Sequence, residues 1–317
     1  MKITVLDAST LGDDLDLSPL SEVGEYKCYA LTSKDEIAAR VKDTEVIITN
    51  KVKLNSENLR GADKLKLICV FATGYDNIDI AYCNERGIRV CNVVGYSTDS
   101  VAQVTLAGVL YLATHLPEYT SYVRSGEYTR SGCANKVSPV FTELCGKTWG
   151  IVGYGNIGRK VGEIASAFGC KVIAYKRTPV EGVECVDFDT LCRKSDIISL
   201  HTPLSDETRS LIDERALSLM KPSAILYNAA RGAVTDECAV AKAILEKRIA
   251  AFGSDVYSVE PMGAEHPFYF IKELSNVCLT PHMAWASKEA RERCLYEIIE
   301  NIKSFAGGGK RNCVTIA

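Results

Sequence analysis

The chain lacks most of what would place it among zinc, disulfide-stapled, membrane or nucleic-acid-binding proteins. No Cys-x-x-Cys occurs, and the four histidines (His115, His201, His266, His282) show no metal-ligand spacing with one another. A structural zinc site is therefore not expected, and no metal is assigned. Thirteen cysteines are present, but the number is odd and no export signal accompanies them. They read as reduced thiols, several buried as small hydrophobes (Cys69, Cys170, Cys278). No apolar run approaches the ~20 residues that a bilayer span requires. The opening Met1-Lys2-Ile3-Thr4-Val5-Leu6-Asp7 has too short an apolar stretch for a signal peptide and reads as a first strand. Charge of one sign is missing too: 37 basic and 40 acidic residues leave a net charge of −3, which supplies no bulk attraction to nucleic acid or anionic membrane. A cytoplasmic protein with neither of those partners is expected.

What is present begins with Gly153-Tyr154-Gly155-Asn156-Ile157-Gly158. The apolar run Thr148 to Val152 precedes it and reads as a buried strand. Arg159 to Phe168 follows, with apolar residues at Val161, Ile164, Ala165 and Phe168 in helical spacing. Strand, glycine turn and helix together form the dinucleotide-binding context. There the first glycine makes the tight turn and the second admits a pyrophosphate. The third lets helix pack on strand, and the helix N-terminus faces the phosphates.

At 317 residues the chain is long enough for two domains. Strand signals at Ile3–Leu6, Glu45–Thr49, Leu65–Phe71 and Ile88–Asn92 alternate with helical stretches such as Lys34–Lys42, which implies a parallel sheet. A helical pattern runs from Ser97 to about Ser125, apolar on more than one face. After the glycine turn, strands are expected at Lys171–Tyr175, Ile197–Leu200, Ala224–Asn228, Ala250–Val256 and Val277–Leu279, six with the one before the turn. Helices are expected at Asp189–Lys194, Asp213–Met220 and Asp236–Lys247. A last helix covers Ser287–Phe305, and a strand-like tail covers Cys313–Ile316. A dinucleotide fold that starts near residue 98 leaves residues 1–97 and 286–317 for a discontinuous outer domain, with 98–285 inserted. A small substrate would meet the cofactor in the cleft between them.

Several further motifs stand in one order along nearly the whole chain. They are Asn50-Lys51, Ala72-Thr73-Gly74-Tyr75-Asp76-Asn77-Ile78-Asp79, Gly95 to Ala102, and Ser199-Leu200-His201-Thr202-Pro203-Leu204. Beyond these come Asn228-Ala229-Ala230-Arg231-Gly232, Asp255 to Pro261, and Thr280-Pro281-His282-Met283-Ala284-Trp285. On these the chain resembles the D-2-hydroxyacid dehydrogenase family, most nearly its glycerate dehydrogenase (hydroxypyruvate reductase) branch. The resemblance implies an α/β protein: a doubly wound parallel-sheet (Rossmann) coenzyme domain inserted into a smaller flavodoxin-like substrate domain. It implies NAD(P)H-dependent reduction of a small 2-oxo acid, with hydroxypyruvate or glyoxylate favoured. It also implies a homodimer through the coenzyme domain, by the helix after Thr98 and the Tyr119–Ser131 arm. Rivals are a cofactor-sensing, corepressor-like binding protein and a formate- or phosphite-type dehydrogenase.

The residues suit this chemistry. Arg231, after a strand end, offers a planar fork to a carboxylate. His282 can exchange a proton near neutrality, and Glu260 is the candidate partner for its other ring nitrogen. In the resembled family these positions form the catalytic set. The resemblance further implies substrate contacts from Thr73, Gly74 and Trp285. Around the cofactor it implies Gly153, Gly155, Asn156, Ile157, Gly158, His201, Thr202, Pro203, Thr208, Ala229, Ala230, Asp255 and His282. A cap role for Asp255 and a core role for Trp285 are the alternatives. NAD-selective folds carry an acid about 20 residues after the turn. Here Lys176-Arg177-Thr178 follows the strand, and no acid occurs between Ile164 and Val180. Two cations and a hydroxyl suit a 2′-phosphate, which leans the reading toward NADP(H).

Overall fold

The computed structural model describes residues 1–315, which form two compact units. One comprises Met1–Ser97 and the chain from Ala286 onward, the other Thr98–Trp285. In the first unit, strands β1 (Lys2–Val5), β2 (Glu25–Cys28), β3 (Val46–Thr49), β4 (Leu67–Val70) and β5 (Arg89–Cys91) form a parallel sheet of order β2-β1-β3-β4-β5. That is the flavodoxin-like order. β3 (Val-Ile-Ile-Thr) and β4 (Leu-Ile-Cys-Val) are buried at every position, as strands covered on both faces must be. β2 was not expected from the sequence. It is an edge strand, Glu-Tyr-Lys-Cys, mostly exposed, with no apolar run to announce it. Of the tail, Val314 donates its N–H to the Val90 carbonyl at 2.8 Å; Ile316 lies outside the described residues.

The first unit's helices are α1 (Ile37–Val41) and α2 (Ile80–Glu85), and those of the second are α3 (Thr98–Ala113), α4 (Leu116–Arg124), α5 (Glu127–Ser131), α6 (Asn156–Ala167), α7 (Phe188–Lys194), α8 (Glu214–Leu219) and α9 (Glu237–Leu245). α10 (Lys288–Ala306) returns to the first unit. The single helix expected over Ser97–Ser125 is two. His115 adopts a left-handed φ of 50°, and Pro117 falls in the first turn of α4. Proline there has no N–H to continue the earlier helix. α3 is buried along much of its length, and Gly108 lies so close to Tyr227 that a Cβ would sit 2.1 Å from its ring. Aspartates 187, 213 and 236 cap α7, α8 and α9, accepting from Thr190, Ala216 and Ala239 N–H groups.

The second unit's strands are β6 (Thr148–Val152), β7 (Lys171–Tyr175), β8 (Glu184–Cys185), β9 (Ile197–Leu200), β10 (Ile225–Asn228), β11 (Ala251–Ser254) and β12 (Val277–Leu279). They make a parallel sheet of seven, order β12-β11-β10-β9-β6-β7-β8. The expectation was six. The additional strand, β8, is two residues long and sits at the edge, too short to leave a pattern in sequence. The order reverses between β6 and β9, and doubly wound sheets bind their ligands beyond the strand ends at that point.

Candidate active site

β6 runs into the glycine turn at this reversal. Gly153 has φ +89°, and a Cβ on it would lie 2.7 Å from the His201 carbonyl. Gly158 is closed equally tightly, with a Cβ position 2.1 Å from the Gly153 carbonyl oxygen. Gly155 differs: nothing lies within 4 Å of its Cβ position. It precedes α6, whose Arg159 N–H reaches back to the Gly155 carbonyl at 2.9 Å. Two glycines thus serve close packing, and the middle one fronts open space at a helix N-terminus.

Three further side chains follow the ends of adjacent strands. Arg231 comes after β10 in a turn held by Asn228, which takes the Ala230 N–H at 3.0 Å and gives its amide to the Arg231 carbonyl at 2.9 Å. Glu260 comes after β11 and His282 after β12. His282 Nδ1 and Glu260 Oε2 are 2.7 Å apart, and Glu260 Oε1 accepts the Tyr257 N–H at 3.1 Å. A Cβ on Gly232 would come 2.0 Å from the Tyr257 carbonyl carbon, so the arginine turn rests against the backbone that carries Glu260. His282 itself has a left-handed φ of 53°.

Asp255, at the end of β11, is buried, and its carboxylate accepts from the Thr280 hydroxyl at 2.7 Å, Met283 N–H at 2.9 Å and Ala284 N–H at 2.8 Å. These donors flank His282 on both sides. Burial raises the Asp255 carboxyl above the usual range, and these bonds pull it back in part.

In the first unit, Thr73 and Gly74 lie in the loop after β4. That loop is tied down by Thr73 Oγ1 to the Val93 carbonyl at 2.8 Å and by the Asn92 amide to the Thr73 carbonyl at 2.7 Å. Asn50 and Lys51 follow β3, and both give backbone N–H groups to the buried carboxylate of Asp7, at 3.0 and 2.6 Å.

The family model described as D-isomer specific 2-hydroxyacid dehydrogenase, NAD binding domain, matches residues 106–284. A glyoxylate reductase of Thermococcus litoralis is 42% identical over 295 residues, which is 90% of this chain and 88% of that protein. The chain belongs to the D-2-hydroxyacid dehydrogenase family. A hydroxypyruvate reductase of Blautia hydrogenotrophica is 35% identical over 323 residues, 99% of each chain. Among solved structures, the D-lactate dehydrogenase of Aquifex aeolicus, complexed with NAD and lactic acid, is similar with a TM-score of 0.87 and 30% identity over all of both chains. The protein is thus a nicotinamide-dependent oxidoreductase acting on a CH–OH group. These relatives favour neither a corepressor-like protein nor a formate- or phosphite-type enzyme. Among the described residues, no helix is long and apolar enough to cross a membrane.

The dehydrogenase's own residues fit a dinucleotide. The open space at Gly155 and the N-terminal N–H groups of α6 (Asn156, Ile157, Gly158) are what a pyrophosphate needs. Lys176, Arg177 and Thr178 follow β7 on the side of the turn where the adenine ribose would lie. Here the structure adds an acid: Glu207 Oε2 is 3.1 Å from Arg177 Nη1. A separation of 30 positions hid this pair from the sequence. In the 201–208 turn, Thr208 Oγ1 donates to the Pro203 carbonyl at 2.7 Å and accepts the Ser205 N–H at 2.8 Å.

The His201 ring is turned inward, its Nε2 3.0 Å from Ser199 Oγ, which also accepts the Trp149 indole N–H at 2.9 Å. Burial pushes its pKa down to about 3, so the ring is neutral; the His201 backbone adjoins Gly153. Trp285 is half-buried, whereas Trp149 fills the core. Ala229 and Ala230 form the turn between β10 and Arg231.

Proposed function

We propose that this dehydrogenase reduces hydroxypyruvate or glyoxylate to the D-2-hydroxy acid, with Arg231 holding the substrate carboxylate, His282 as acid and base, and Glu260 as its partner. The observation that carries the reading is the 2.7 Å contact between His282 Nδ1 and Glu260 Oε2, set beside the arginine turn on three neighbouring strand ends. The cofactor, when bound, supplies the hydride that reduces the carbonyl carbon. Everything else falls to the chain. Arg231's fork grips a carboxylate bidentately. Glu260 occupies Nδ1, so the proton for the carbonyl oxygen leaves from Nε2 and returns there in the reverse reaction. A carboxylate at Nδ1 fixes the ring's orientation and tautomer, which leaves Nε2 for the substrate. Thr73 and Gly74 would supply backbone N–H groups to the substrate carboxylate, and Trp285 a wall of its pocket.

NADP(H) is the proposed preference, through Lys176, Arg177 and Thr178. Glu207 tempers it, because Arg177 must leave or share that carboxylate to meet a phosphate. Thr202, Pro203, Thr208, Ala229, Ala230 and Asp255 complete the proposed cofactor contacts. A homodimer is proposed through α3–α5 and the segment after them, where Leu116, Val123, Val137, Val140 and Phe141 are all more than half exposed. A cytoplasmic location goes with thirteen free thiols. The test is a matrix of glyoxylate, hydroxypyruvate, pyruvate and a branched analogue against NADH and NADPH, with mass determination in solution. Fast turnover of the first two is expected. Turnover of none of the four would overturn the reading.

A further inference from the structure

Behind the Glu260 loop lies a buried polar cluster that the proposed chemistry does not use. Glu237, the first residue of α9, and His266 are each only 8% exposed. Glu237 Oε1 accepts the Ser258 backbone N–H at 2.8 Å, and Oε2 accepts the Ser258 hydroxyl. His266 Nε2 is 2.9 Å from Oε2, an electrostatic contact out of line for a hydrogen bond. Its Nδ1 accepts the Phe268 N–H at 3.2 Å, which leaves an N–H on Nε2, the ring nitrogen beside the carboxylate.

What this carboxylate holds is specific. Ser258 lies two residues before Glu260, and its neighbour Tyr257 gives its N–H to Glu260 and its hydroxyl to the Thr280 carbonyl at 2.9 Å, two residues before His282. The Tyr257–Ser258 backbone is also what Gly232, next to Arg231, packs against. Glu237 follows Arg231 by six residues, so it ties the arginine turn to the glutamate loop. A buried carboxylate is costly unless hydrogen-bonded, and both oxygens of this one accept from Ser258 on that loop.

We infer that Glu237 is a positioning residue for the Glu260–His282 pair, acting through Ser258 with His266 as its counterpart. The inference rests on the acid/base reading proposed above. Glu260 and the buried Asp255 are charged groups that act on His282 from β11's end.

The experiment compares Glu237→Gln, Glu237→Asp, Ser258→Ala and Glu260→Gln in the full-length enzyme with hydroxypyruvate. In Glu237→Gln the amide NH2 must confront either the Ser258 N–H or the His266 N–H. Its kcat should fall about 10-fold to 10²-fold, the range a misplaced catalytic group costs, with cofactor affinity held. The alkaline limb of kcat/KM should move to lower pH, as is expected also for Glu260→Gln, and a double variant carrying Glu237→Gln and Glu260→Gln should be no worse than Glu260→Gln alone. Glu237→Asp, which keeps the charge, should recover part of the loss. The His282 ring titration, followed by NMR without substrate, should move the same way and needs no turnover. An unmoved limb and titration, with losses that multiply in the double variant, would overturn the inference. Ser258→Ala keeps the test alive should Glu237→Gln not fold: a smaller shift in the same direction supports the inference, and no shift sinks it. Full turnover by His282→Ala would instead remove the acid/base reading itself, which separates the two failures.

Discussion

Asp255→Asn isolates what holds the His282 turn. The wild-type carboxylate takes three donors: the Thr280 hydroxyl and Met283 N–H on Oδ1, and the Ala284 N–H on Oδ2. An amide offers one acceptor and one donor. Placed either way, its NH2 meets a backbone N–H, because only the Thr280 hydroxyl can reverse direction. One buried N–H is left unpaired, at a cost of about 1–3 kcal/mol. Removing a desolvated charge offsets part of that, since burial is the largest influence on this carboxyl. The expected melting point is lower by roughly 2–4 °C per kcal/mol lost, for a unit of this size. The larger effect is on rate. The unpaired group lies one or two residues after His282, whose left-handed conformation depends on that turn, so kcat should fall on the order of 10²-fold. The pH dependence has a definite sign. With the folded carboxyl raised above the ordinary 3.8, the native state holds a proton that the unfolded chain has released. Asp255's contribution to stability therefore declines as pH rises from the unfolded value to the folded one, and is flat above it. Urea melts of both proteins through this window should show their stability difference shrinking with pH. Wild-type kcat and melting behaviour in Asp255→Asn would refute the reasoning.

The other predictions concern the turn, the ribose end and the acid. Gly155→Ala should fold normally, since its Cβ meets open space, yet weaken NAD(P)H binding about 10-fold or about 1.4 kcal/mol; equal affinity by fluorescence titration would show that the phosphates lie elsewhere. Gly158→Ala places a Cβ 2.1 Å from the Gly153 carbonyl oxygen and should lower the melting point of the cofactor-free protein as well, which calorimetry reads directly. Glu207→Gln frees Arg177 and should tighten NADPH relative to NADH; both groups are exposed, so the change should be a few-fold, and an unchanged ratio of dissociation constants would take Arg177 out of 2′-phosphate recognition. His282→Ala should abolish carbonyl reduction and leave cofactor affinity largely intact, as steady-state turnover beside a binding titration would show.

The parts of the fold that sequence discloses are those whose signal is local. The run Thr148–Val152, the glycines and the period of α6 lie within about twenty residues, and the structure keeps them as strand, turn and helix. Buried parallel strands such as β3 and β4 show as unbroken apolar runs. β2 and β8 did not show, because an exposed edge strand needs no apolar face and two residues carry no period. The α3–α4 break was hidden by apolar residues continuing across it. Only Pro117 marked it, and a proline in a helix's first turn is tolerated.

Of the proposed site, Arg231 and His282 stand after strand-like runs in the sequence, and Glu260 enters through the family resemblance as the partner of His282. The groups that hold them were not legible there, and the reason is physical. A carboxylate's burial is a tertiary property, and in sequence Asp255 and Glu237 look like the caps and first-turn acids that abound on surfaces. The same device operates in both units. Asp255, past the end of β11, gathers the loop after its neighbour β12; Asp7, past the end of β1, gathers Asn50 and Lys51 after its neighbour β3. Each is buried, and each carboxyl is raised by desolvation against the pull of its N–H donors. Parallel strands end on the same edge of their sheet, so a short acid after one strand can reach the N–H groups that the next loop leaves unpaired. Loop order at a strand edge is thus set by charge placed between strands, and such pairing across strands leaves no trace in a local window of sequence.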